Sequence, residues 1–86
     1  MDNTINWTKK AYKQLLKLDP QGAKAVTVAV RTELVNLSVA RNVKKLIGHA
    51  YGYRLRVGGY RVLFDFDGVI RIVTVEEVRK RDEQTY

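Results

Sequence analysis

Apolar residues recur along this chain with two different spacings, and the change between them divides it. Between residues 9 and 37 they return every third or fourth position, the period of an amphipathic helix. From residue 53 onward they alternate with polar residues, the period of a strand with one face buried. Ala11, Leu15 and Leu18 form one helical stripe, widened by Tyr12 and Leu16, with Lys9, Lys10, Lys13, Gln14 and Lys17 on the other side. Thr8 stands where an N-cap belongs, so a helix is predicted from Lys9 to about Lys17. Asp19-Pro20 restarts the pattern with an N-cap and a proline at the first helical position. The second helix is predicted to run to about Asn36 and to bury Ala23, Val26, Val30, Leu34 and Leu37. Within it, Val26-Thr27-Val28-Ala29-Val30 is β-branched and alternates like a strand; the cap, the length and the helical stripe together decide for helix. The short Leu18-Asp19-Pro20 connection makes the pair an αα-hairpin, and Thr4-Ile5-Asn6-Trp7 before it reads as a short opening strand.

The stretch Tyr53-Arg54-Leu55-Arg56-Val57-Gly58-Gly59-Tyr60-Arg61-Val62-Leu63-Phe64 alternates apolar with basic residues on both sides of a Gly-Gly pair. That pattern predicts a β-hairpin, because glycine accepts the positive φ of a tight turn. With Gly58 and Gly59 as the loop, Val57 faces Tyr60, Arg56 faces Arg61, and Arg54 lies opposite Leu63. Tyr53, Leu55, Val57, Tyr60, Val62 and Phe64 then share one face, while Arg54, Arg56 and Arg61 share the other. Like charges placed opposite one another cost stability in a sheet. Three guanidinium groups focused on one patch by a tight turn therefore predict an anionic partner that relieves the repulsion.

Residues 38–51 read as a loop, in which Val43, Leu46 and Ile47 pin the chain to the domain while Arg41, Lys44 and Lys45 face water. His49, the only histidine, lies in this loop; a lone loop imidazole more often caps a backbone group or sits in solvent than acts as a base. After the hairpin, Tyr60 to Phe66 continues as a strand into Asp67-Gly68, a two-residue turn signal, and Val69 to Val75 forms the next strand. Paired through that turn, Arg71 falls on the apolar face. Either it snorkels at the rim, or the turn is longer and the register shifts by one. The remaining stretch from Glu76 is a charged terminus, or its Arg79-Lys80-Arg81 run and Tyr86 serve as a phosphate clamp with a stacking platform for a base. The whole chain, residues 1–86, is thus predicted as one α+β domain: two N-terminal helices packed on a small, mainly antiparallel sheet of three to four strands.

Composition narrows the function. Sixteen Lys and Arg against nine Asp and Glu give a formal charge of +7 on 86 residues, which points to nucleic acid, an acidic protein or an anionic surface as partner. With no cysteine and one histidine, thiolate chemistry is excluded and no metal site is expected. No apolar run approaches a membrane span and the polar start is unlike a signal peptide, so a cytoplasmic location with no membrane partner is expected.

The order of strand, two helices and antiparallel sheet resembles the RelE/ParE superfamily of toxins from prokaryotic toxin–antitoxin pairs. The resemblance runs over essentially the whole chain. It rests on Trp7-Thr8-Lys9-Lys10-Ala11, on Asn42-Val43-Lys44-Lys45-Leu46, on the hairpin at 53–64, and on Lys80-Arg81 before Tyr86. Resemblance to the RelE branch implies a ribonuclease that enters the ribosomal A site and cuts mRNA by attack of the ribose 2′-hydroxyl on the adjacent phosphodiester, with no metal and no small-molecule cofactor. It implies Arg61 as the residue stabilising the transition-state phosphate, and Arg54 and Arg56 as the basic pair on the first hairpin strand. It further implies Arg81 or Lys80 as the late basic residue and Tyr86 as the tyrosine that stacks on the target nucleotide. In the same reading Lys44, Lys45 and Arg79 contact RNA phosphates. Some active relatives carry Lys where Arg54 and Arg56 stand, and an arginine is a poor proton acceptor. That shifts the pair toward electrostatic roles and leaves the base unassigned. The ParE branch, which poisons DNA gyrase without cutting RNA, is the alternative. Either branch implies a cognate antitoxin as partner; the RelE branch adds the 70S ribosome and mRNA.

Overall fold

The computed structural model describes residues 2–80. In chain order these form β1 (Thr4–Trp7), α1 (Lys9–Leu16), α2 (Pro20–Glu33), a 3₁₀ turn (Leu37–Val39), β2 (Val43–Lys45), β3 (Tyr53–Val57), β4 (Tyr60–Asp67) and β5 (Ile72–Lys80). The strands make one sheet in the order β1-β5-β4-β3-β2. Only the β1–β5 pair is parallel. The α+β layering is as expected, with five strands where three to four were predicted.

The additional strand is β2, inside the stretch read as a loop. Three residues, two of them lysine, carry too little alternation to announce a strand. The segment is extended because β3 offers it a partner, with Val43 opposite Leu55 and Lys44 opposite Arg54. Lysines on so short an edge strand also discourage pairing with another chain.

Both helices begin at the predicted caps. Thr8 Oγ1 accepts from the Ala11 amide at 3.0 Å, and Asp19 Oδ2 accepts from the Gly22 amide at 3.2 Å. In α1 the buried stripe is Ala11 and Leu15. Tyr12 and Leu16 do not widen it; they are 52% and 64% exposed, because α1 packs along β5 with a single narrow face. Past the end of β1, α1 stands in for a further strand on the outer edge of β5: the Val78 amide donates to Gln14 Oε1 at 2.8 Å. In α2, Val26 and Val30 are buried, as is Leu34 at the C-cap, whereas Ala23 and Leu37, also expected in the core, are only partly buried against it. The Thr27 hydroxyl donates to the Ala23 carbonyl at 2.8 Å, so the β-branched run is accommodated in helix, which ends three residues earlier than predicted.

The core lies between these helices and Leu55, Val62, Phe64, Val73, Val75 and Val78 of the sheet. The β3–β4 hairpin has the predicted register throughout, including Arg56 opposite Arg61, and of its two loop residues only Gly58 takes a positive φ, 53°. Tyr60, just after the turn, donates its hydroxyl to Asp19 Oδ1 at 2.8 Å and so ties the hairpin to the start of α2. Gly22 makes this approach possible, since a Cβ there would stand 2.5 Å from the Tyr60 hydroxyl oxygen. Gly22→Ala is therefore expected to lower stability by about 1–3 kcal/mol. Tyr60→Phe in the same chain should recover part of the loss, as read from urea unfolding midpoints.

The β4–β5 connection differs from the predicted two-residue turn. Asp67 pairs with Ile72, and its Oδ1 accepts from the amides of Val69 at 2.9 Å and Ile70 at 3.3 Å. Arg71 closes the loop at φ 57°. Of the two alternatives the longer turn is present, and it removes Arg71 from the strand altogether. Phe66 consequently faces Val73 instead of Val69. β5 then continues through Glu76 to Lys80, where a charged terminus was expected.

Candidate nucleic-acid interface

The sheet surface turned away from the helices carries the guanidinium groups. Arg56 on β3 faces Arg61 on β4, and Arg61 faces Arg79 on β5, so the three form one row across the sheet. In the next row stand Lys44, Arg54, Leu63 and Glu77, each opposite its neighbour. Arg79 joins the row because of a β-bulge. Phe64 pairs with Val75 but Leu63 pairs with Glu77, which leaves Glu76 as the extra residue. The inserted residue resets the alternation, sending Val78 into the core and Glu77 and Arg79 to the basic face. Nothing in the local sequence marks the bulge.

Arg54 and Arg56, with Arg41, Asn42 and Val43, line an open cleft of about 210 Å³. Neither Arg54 nor Arg56 is in an ion pair among the described residues. Arg41 was read only as a solvated loop residue; its amide donates to Glu33 Oε1 at 2.9 Å, which fixes it at the mouth of the cleft. Lys44 shares the basic face. Lys45 and Lys80 do not, since their partners Tyr53 and Tyr60 belong to the helix-side register. Arg81 and Tyr86 lie outside the described residues.

One carboxylate is set into this basic surface. Glu77, 4% exposed, accepts from Arg79 Nε at 2.6 Å and pairs with Lys10 Nζ at 3.3 Å. Burial pushes its carboxyl up, but hydrogen bonds from Arg79, Tyr51 and Lys10 outweigh that and hold it below the usual carboxylate range. Tyr51 belongs to the segment 46–52, which folds over Leu63 and is stapled by the Gly52 amide donating to Asp65 Oδ1 at 2.7 Å. Leu63, the apolar residue of this face, is thus covered by the chain's own loop. Ile47 does not pin this loop; it is 89% exposed. His49 lines a cleft of about 180 Å³ with Tyr51, Glu77 and Arg79.

Glu76 has the opposite character. Burial raises its carboxyl pKa, and the hydrogen bond to Asp65 and that group's charge raise it further. A raised folded-state pKa means stability that is present below the unfolded value and lost as pH rises through the folded one. At neutral pH Glu76 is therefore a cost. Glu76→Gln is expected to raise the melting temperature by about 2–4 °C at pH 7 and by less at pH 4. An equal difference at the two pH values would contradict this.

The architecture and this face define a small basic α+β domain with an anion-binding sheet surface. The family model described as the ParE toxin of type II toxin–antitoxin systems, parDE, matches residues 5–84. The chain belongs to this family, within the RelE/ParE superfamily, and is the toxin component of a type II toxin–antitoxin system. Among solved structures it is similar to a chain of the RelBE2 toxin–antitoxin complex from Mycobacterium tuberculosis, with TM-score 0.83 and 28% identity, covering 94% of this chain and 100% of that one. The archaeal RelE–RelB complex from Pyrococcus horikoshii OT3 follows with TM-score 0.78 and 24% identity, over 98% and 100% of the two chains. The isolated E. coli RelE toxin has TM-score 0.76 and 20% identity, over 95% and 87%. The latter two likenesses are of fold. No curated protein matches the sequence. Among the described residues no helix is long and apolar enough to cross a membrane.

Proposed function

We propose that this toxin is a ribosome-dependent mRNA endoribonuclease that inhibits translation. The observation that carries the reading is the row Arg56, Arg61 and Arg79 with Arg54 beside it on one accessible face. A sugar–phosphate chain laid across that row meets guanidinium groups at successive positions, and each is a charge-assisted donor to phosphate oxygens. The 2′-hydroxyl oxygen attacks the adjacent phosphorus and the bond from phosphorus to the 5′-oxygen breaks. The products are a 2′,3′-cyclic phosphate and a 5′-hydroxyl; the 2′-hydroxyl proton passes to a base and the leaving oxygen gains one. Arg61, flanked on both sides, stabilises the phosphorane-like transition state, where charge is greatest. Arg54 and Arg56 bind and neutralise, since guanidinium groups do not accept protons at neutral pH. Arg81 and Tyr86 take the late basic and stacking roles that the resemblance implies, and the ribosome orients the RNA.

The matching family model is that of ParE, and this favours a second reading, inhibition of DNA gyrase without RNA cleavage. Expression in a growing cell separates them: the nuclease stops protein synthesis within minutes, whereas the gyrase inhibitor induces DNA-damage signalling first. In either case the proposed partner is a cognate antitoxin, as in the RelB complexes of similar fold. An acidic, amphipathic segment would complement the +7 charge.

A further inference from the structure

We infer that Glu77 is a positioning residue of the anion site, holding Arg79 in line with Arg61 and Arg56 before RNA arrives. The inference rests on the nuclease reading and concerns the same face. Arg79 faces Arg61 across the sheet, and two like charges in register repel. Left to itself, a long arginine side chain would turn away from its neighbour. Glu77, two residues earlier on the same strand and face, counters this through a 2.6 Å contact with Arg79 Nε. The carboxylate is itself held from two other elements. Lys10 of α1 reaches its second oxygen at 3.3 Å, and Tyr51 of the covering loop helps to keep the carboxyl below its usual range.

Stability alone does not ask for this arrangement. Opposite buried Leu63, on a strand packed beneath a loop, an apolar side chain would satisfy the site without desolvating a charge. What a carboxylate adds is direction: it selects one orientation of the guanidinium beside it. Glu77 is not the missing base. It is 4% exposed, and Arg79 and Lys10 occupy its two oxygens.

An anion beneath a phosphate site has two opposed effects, and they supply the test. It weakens RNA binding by its charge while speeding the reaction by ordering Arg79. Glu77→Gln keeps the shape and one acceptor oxygen but loses the charge. With mRNA on programmed ribosomes, turnover should fall about tenfold while the half-saturating concentration stays unchanged or falls. Glu77→Gln should add little, within about twofold, to Arg79→Ala, since the pair acts as a unit. Arg79→Lys, which keeps the charge and lacks Nε–H, should lose turnover to the same degree, and it covers the case in which Glu77→Gln fails to fold. Wild-type turnover in Glu77→Gln, or additive losses with Arg79→Ala, would overturn the inference. So would turnover and affinity falling together with the melting temperature. A side-chain nitrogen NMR spectrum reads the geometry without activity: Arg79 should show an Nε–H resonance protected from solvent exchange, absent in Glu77→Gln. If the wild type lacks that resonance the inference falls. If the wild type cuts no mRNA, the nuclease reading fails, and the NMR spectrum alone decides whether Glu77 orders Arg79.

Discussion

Replacing Arg61 with alanine is expected to slow mRNA cleavage on programmed ribosomes by about 100- to 1000-fold, with little loss of folding stability. Arg61 stands at the centre of its row, opposite Arg56 on one side and Arg79 on the other. A phosphate bound over the row therefore meets it from whichever strand it approaches. Arg61 is half-buried on the sheet face, outside the apolar core, so its loss opens no core cavity. The unfolding free energy should stay within about 1 kcal/mol of wild type. Arg61→Lys should fall between the two, because an ammonium restores charge without the planar pair of donors. Single-turnover cleavage rates and urea unfolding of the same three proteins check this; an Arg61→Ala protein that cuts at the wild-type rate would remove Arg61 from the chemistry.

The largest loss of stability is expected from Phe64→Ala, at about 3–5 kcal/mol. Phe64 is fully buried, faces Tyr53 on one side and Val75 on the other, and stacks on the Tyr53 ring at a centroid distance of 5.3 Å. Its partner Val75 immediately precedes the bulge that sends Val78 inward and Arg79 outward, so the cavity lies under the strand pairing that builds the row. Small domains have net stabilities of roughly 5–15 kcal/mol, and a loss of this size leaves a substantial unfolded fraction at 37 °C. The check is the urea midpoint at unchanged slope. A shift worth less than about 1 kcal/mol would mean that the core is not centred on this ring.

The parts of the site that were legible beforehand are those governed by strict local rules. Period-two alternation and a Gly-Gly turn leave one register for 53–64, and that register puts Arg54, Arg56 and Arg61 together. Thr8, Asp19 and Pro20 mark helix starts by the chemistry of unsatisfied amides. What was not legible depends on neighbours distant in the chain. Val43–Lys45 becomes a strand only because β3 has a free edge beside it. The Asp67–Ile72 loop is chosen by Asp67 capping two amides and by Arg71 at positive φ, neither of which an Asp-Gly pair announces. The bulge at Glu76 follows from the core's demand for both Val75 and Val78. Because the bulge was invisible, Arg79 was read as a phosphate contact in the terminal stretch and not as a member of the hairpin's row, and Glu77 was assigned to no site at all. The β5 end of the row, Arg79, thus emerged only from the folded sheet.

The most direct test of the nuclease reading is analysis of RNA ends after purified toxin meets mRNA on programmed 70S ribosomes. The account predicts a cut within the A-site codon, a 2′,3′-cyclic phosphate upstream and a 5′-hydroxyl downstream, with free RNA left largely intact. Intact mRNA under conditions where the same protein blocks gyrase supercoiling would contradict it.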